Sequence, residues 1–260
     1  MTRKETFQTP EPIAVEISNP SGKVEIRAEP TDQTTVTVDG DDSLVDQTTV
    51  EYSGDRLRVA PPDRWIRRSD LRITVIVPEQ STATLKVASA GVRCLGPLGA
   101  LTSSGASGRV EAEEVVGEVD IRTASGDVRL GAVGQLAGVN TASGGVEIGA
   151  ARSAQVRTVS GDVRIGHVEE SAAVRAVSGD VRFTDAYAGE IEATTTSGDV
   201  MVAVRPGTAV ELHLSSLSGR VHSTLPVNEE PPGDTPSLRI RTKSVSGNIT
   251  LTRRETVPTP

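Results

Sequence analysis

Aromatic side chains are nearly absent: the 260 residues hold one Trp, two Tyr and two Phe. A wide core relies on large rings, so the interior has to be thin and filled by Val, Ile, Ala, Thr and Ser. There is a single cysteine, Cys94. It excludes an intrachain disulfide and fits a reducing compartment, and in V-R-C-L it reads as a small buried hydrophobe. No apolar run reaches the roughly 20 residues of a spanning helix, and the opening M-T-R-K-E-T-F lacks the apolar core of a signal peptide. The expected compartment is therefore the cytoplasm, with association to the cell envelope as the alternative. The net charge of -8 comes from interspersed signs, so no nucleic acid and no anionic membrane is expected as partner. The three histidines, His167, His213 and His222, share no metal-ligand spacing with one another or with Cys94. A nucleophile elbow and a phosphate-binding loop are missing too.

What is present is repetition. V-R-T-V-S-G-D-V-R-I (Val156 to Ile165) returns as V-D-I-R-T-A-S-G-D-V-R-L, V-N-T-A-S-G-G-V-E-I, V-R-A-V-S-G-D-V-R-F and A-T-T-T-S-G-D-V-M-V. The glycines fall at 108, 126, 144, 161, 179 and 198, in steps of 18, 18, 17, 18 and 19. So regular a period marks an array. One copy has about 59 Å of contour at about 3.3 Å per residue, enough for two or three short faces with tight corners. Alone it cannot bury its apolar side; stacking buries that side and pairs the edges. The expected fold is all-β: a parallel β-solenoid of about seven to eight copies of about 18 residues. An antiparallel meander with a hairpin at each S-G-D is the rival.

Domain organisation follows. Residues 1–80 alternate at period two and form a strand-rich N-terminal cap, including a hairpin at V-E-Y-S-G-D-R-L-R-V (Val50 to Val59). Residues 81–224 carry the solenoid and 225–236 a Pro-rich linker. Residues 237–260, with S-V-S-G-N-I-T-L, supply a capping copy and tail. No helix is expected beyond one turn at Val168 to Ala173.

Aligned on the Ser of S-G, the copies define columns. Inward columns hold Ile121, Val139, Val156 and Val174 before the turn, and Val128, Val146, Val163 and Val181 after it. Thr123, Thr141, Thr158 and Thr195 fall on the inward side, as a buried hydroxyl ladder. The corner aspartates Asp127, Asp162, Asp180 and Asp199 stack, and stacked carboxylates can hold Ca²⁺. Gly145, Arg109, Arg220 and Asn248 interrupt that column, turn chemistry accounts for it, and no cofactor is expected. Arg122, Arg157 and Arg175 project outward before the corner, and Arg164 and Arg182 after it, among Glu111, Arg129 and Glu147. Either these form a cross-copy ion ladder or they present a lateral binding face. The column before Ser holds Ala124, Ala142, Val159, Val177, Thr196 and Leu217. Strict alternation points it at solvent, whereas a bent corner tucks it in; the tucked arrangement is expected.

Three features together resemble a bacterial family of putative adhesins of β-strand-repeat type, a domain family of unknown function, in its soluble actinobacterial form. They are F-Q-T-P-E-P-I-A-V (Phe7 to Val15), the hairpin at Val50 to Val59, and the recurrent T-x-S-G-D-V-R-[ILF]. The resemblance spans nearly the whole chain and implies a parallel β-solenoid with no assigned catalytic residues. The expected function is non-enzymatic: an adhesin-like scaffold presenting a repetitive lateral face to a protein or polymer partner, with self-association through a face as a variant. Adhesion or glycan binding by an exported protein is the alternative. A carbohydrate-active enzyme is less supported, because no face gathers paired carboxylates.

Overall fold

The structure, a computed structural model, describes residues 1–62, 70–225 and 236–254. Trp65 and most of the Pro-rich linker lie outside the described residues. The chain is all-β and divides into two compact units, Met1–Gln135 and Leu136–Pro260.

The N-terminal unit begins with β1 (Thr2–Gln8), β2 (Ala14–Asn19), β3 (Gly22–Glu29) and β4 (Gln33–Asp39). A helix, α1 (Asp42–Gln47), precedes the hairpin β5 (Thr49–Ser53) and β6 (Arg56–Ala60). Then come β7 (Leu71–Pro78), β8 (Thr82–Val87), β9 (Gly91–Leu98) and β10 (Ala100–Ser104). β11 (Val110–Val115), β12 (Val119–Thr123) and β13 (Val128–Ser143) follow. Two parallel rows result. One runs β6, β2, β8, β10, β12; the other runs β7, β3, β9, β11 and the start of β13. The first copy of the phrase, 14–29, therefore sits between β6 and β7 on one side and β8 and β9 on the other, paired on both edges. Three antiparallel pairings finish the unit: β5 on β6, β4 on β7 and β1 on β4.

Helix α1 departs from the expectation of none. Asp41 caps it by accepting the Ser43 amide at 3.1 Å, and Leu44 and Val45 are buried beneath it. Six residues are too few for a 3.6-residue period to rise above strand alternation.

The C-terminal unit contains β14 (Val146–Ser160), β15 (Val163–Ser178), β16 (Val181–Ala186), β17 (Gly189–Ser197) and β18 (Val200–Val204). It continues with β19 (Ala209–Ser216), β20 (Val221–Ser223), β21 (Ser237–Ser246) and β22 (Ile249–Arg253). The pairings among these described strands are parallel. Before the corner the row is β14, β15, β17, β21, β19, and after it β14, β15, β16, β18, β22, β20. The turn at Val168 to Ala173 is part of β15, and an antiparallel meander through S-G-D is overturned by these registers.

Column by column the core is as expected. Val156, Val174 and Ile165 are fully buried, as are Val200 and Val202, and Phe183 is 1% exposed. The corner needs glycine because copies approach closely there. Gly198 has φ +148°, and a Cβ on it would lie 2.1 Å from the Gly179 carbonyl oxygen. A second glycine column was not singled out from the sequence: a Cβ on Gly166 would lie 2.0 Å from the Gly149 carbonyl.

One placement differs from expectation. The segment 237–253, expected at the end of the array, is flanked on both sides, and the copy 209–223 lies outside it. There the columns lose their cover: Val221 is 48% exposed and Leu212 36%. Identical phrases pair equally well in either order, so the sequence period carries no information about which copy ends the stack.

Candidate lateral binding face

The corner aspartates form a ladder of their own. The Asp180 amide donates to Asp162 Oδ1 at 3.0 Å, and the Asp199 amide to Asp180 Oδ1 at 2.9 Å. The Asn248 amide then donates to Asp199 Oδ1 at 2.7 Å, and the Arg220 amide to Asn248 Oδ1 at 3.1 Å. Each side-chain oxygen caps the amide of the next copy, which is why Asp or Asn recurs here and why the outermost position accepts Arg220. Among the described residues no three His, Cys, Asp or Glu side chains converge as a metal site would need.

Thr141, Thr158 and Thr195 are buried, as expected, but Thr123 is half-buried and the column is not a ladder. Among the described residues, Thr158 Oγ1 and Thr195 Oγ1 have no hydrogen-bond partner. Ala176 stands between them in register and breaks the chain of hydroxyls.

The column before Ser is exposed, contrary to the tucked expectation. Val159 is 53% exposed, Val177 51%, Val245 47% and Leu217 84%. Glycine at the corner lets the strands keep their alternation up to the serine, so the side chain preceding it faces solvent. The C-terminal unit thus carries an apolar stripe beside its corner.

The arginines divide between the two units. Arg122, in the N-terminal unit, is held by Asp120 at 2.8 Å. The neighbouring outward column there is an ion network: Arg129 to Glu111 at 3.5 Å, Arg109 to Glu111 at 3.7 Å and Arg109 to Asp127 at 3.5 Å. In the C-terminal unit, Arg157 stands in register with Arg175, and Arg164 with Arg182. All four are exposed, and none forms an ion pair or side-chain hydrogen bond with another described residue. Like charges directly opposite on paired strands repel.

Sequence reasoning missed one charged cluster. Asp185, 14% exposed, is bridged by Arg205, receives Arg254 Nη1 at 2.8 Å and has His167 Nδ1 at 3.8 Å. Arg205 also lies 4.7 Å over the Tyr187 ring. Burial pushes the Asp185 pKa up, but hydrogen bonds from Arg205 and Arg254 outweigh it and hold the carboxyl below its usual range. The cluster ties four copies together through residues far apart in sequence, so no local motif announces it. Cys94 is buried, and burial pushes its thiol up to about 12, so it is not a reactive nucleophile.

One family model, Toastrack DUF4097, matches residues 13–252. The chain belongs to that family. Solved structures share the fold at low identity. A putative adhesin from Parabacteroides merdae is 11% identical with a TM-score of 0.55, covering 97% of this chain and 96% of its own. One from Parabacteroides distasonis is 13% identical with a TM-score of 0.54, covering 96% and 97%. One from Bacteroides fragilis is 15% identical with a TM-score of 0.51, covering 96% and 97%. No curated protein matches the chain. The toastrack domain is of unknown function, and none of these relatives is named as an enzyme. Among the described residues no helix is long and apolar enough to cross a membrane.

Proposed function

We propose that this toastrack protein is a non-enzymatic scaffold of β-solenoid type whose C-terminal unit binds an anionic polymer along the flanks of the S-G-D corner. The observation that supports it is the set Arg157, Arg164, Arg175 and Arg182. They are exposed, stacked as two like-charge pairs, and left without an ion partner among the described residues. Stacked strands repeat at about 4.8 Å, so a flexible polyanion can neutralise successive guanidinium groups, of which Arg164 also has Glu147 in register on its other side. Val159 and Val177 beside them add apolar contact at the same edge.

Dextran sulfate and neutral dextran, each immobilised, test the reading. The wild-type protein is expected to bind the sulfated polymer in a salt-dependent way, and R157A/R164A/R175A/R182A to lose at least about tenfold in affinity. Equal capture on neutral dextran, or no loss in the variant, sinks it. The relatives named as putative adhesins favour a second reading, adhesion at the cell envelope. Fractionation of native cells separates it from a cytoplasmic scaffold.

A further inference from the structure

The outermost copy of the C-terminal unit is finished differently from every other part of the molecule. β19 is hydrogen-bonded to β21 on one edge, and no described strand lies on its other edge. The Ala209 amide donates to Pro236 at 2.9 Å. In a parallel pair, bonding to one neighbour alternates along the strand. The N–H and C=O of Val210, Leu212 and Leu214 therefore point to the free edge. The same three side chains stand in register with Leu238, Ile240 and Thr242, all buried. They belong to the core face, yet they are half-exposed. Among the described residues, an open edge and an uncovered apolar face coincide on one strand.

The strand is also self-complementary. Glu211 and His213 flank Leu212, and Val210 and Leu214 flank them in turn. We propose that β19 pairs antiparallel with β19 of a second copy of this chain about a two-fold axis at Leu212. That register sets Leu212 against Leu212, Val210 against the partner's Leu214, and Glu211, which also holds its own chain's His213 at 2.9 Å and Arg239 at 2.8 Å, against the partner's His213. A shift by one residue would face core side chains with outward ones. An axis at Glu211 would instead set two carboxylates opposite each other, which is destabilising. The free backbone groups of Val210, Leu212 and Leu214 become hydrogen-bonded, and a closed isologous dimer uses up the β19 edge of both copies.

Sedimentation equilibrium of the full-length protein at tens of micromolar, at pH 7, tests this. The wild type is expected to be a dimer. L212P is expected to be a monomer with unchanged circular dichroism, because the Leu212 N–H is not used by β21 and an edge position tolerates proline. The charge pattern tests the register. E211K is expected to weaken dimerisation about tenfold, H213E likewise, and E211K/H213E to restore it, since two cross-strand pairs are reversed together. A monomeric wild type overturns the proposal. So does a dimer that persists in L212P, or a double variant as weak as the single ones.

Discussion

The N-terminal and C-terminal units use one 18-residue phrase and finish it in opposite ways. In the N-terminal unit the last parallel strands, β6 and β7, are covered by antiparallel β5 and β4, and β1 covers β4. In the C-terminal unit the last copy, β19 and β20, has no such cover among the described residues. Charge follows the same division: Glu111, Arg109, Asp127 and Arg129 neutralise one another in the first unit, while Arg157, Arg164, Arg175 and Arg182 have no ion partner among the described residues in the second. The rings divide too. Phe7 and Tyr52 lie 5.2 Å apart on the closing strands of the N-terminal unit, whereas Phe183 is buried within the stack of the C-terminal one. A repeat supplies a core; what flanks it determines whether the end is sealed or sticky.

The largest effect is expected where the thin core relies on one ring. F183A should cost about 3–5 kcal/mol in urea unfolding, whereas I26V in the N-terminal unit should cost about 0.5–1.5. Comparable losses would mean that the two cores are equally tolerant. Next comes the Asp185 cluster. D185N removes a carboxylate bridging two arginines and should cost about 2 kcal/mol at neutral pH. Because the folded pKa lies below the ordinary value, this stabilisation is complete above the unfolded pKa. It is lost as pH falls through the folded one. The gap between wild type and D185N should therefore close below about pH 4, and a gap independent of pH would show that the carboxylate charge is not the cause. The smallest effect sets the charge patterns against each other. E111A should lower stability by about 0.3 kcal/mol, and R157A should raise it by about as much, since it relieves Arg175. Destabilisation by R157A would show that the arginine column is not under like-charge strain.

Much of the fold was legible because periodicity is a local signal. Val156, Thr158, Val163 and Ile165 are inside, Arg157 and Arg164 outside, and Ser160-Gly161-Asp162 at the corner, as alternation required. The hairpin at Val50 to Val59 was equally plain, because its turn and both strands are contiguous. Helix α1 was missed for its brevity. The exposure of Val159 and Val177 was missed because alternation and a corner bend make opposite demands there, and sequence alone does not weigh them. The arginines of the candidate face were visible as residues. That Arg122 is paired while the other four are not depends on which carboxylates the registers bring near.

The sequence by itself determined the class, the period, the inward columns and the corner chemistry, since each depends on residues within one copy. Only the tertiary structure decided the order of the copies. The first phrase, at 14–29, and the last, at 237–253, are both placed one copy in from the end of their rows of parallel strands. Parallel strands of near-identical sequence bond in any order, and the choice rests on long-range closure rather than on any local preference. That choice leaves Leu212 at an open edge and seals its counterparts in the N-terminal unit.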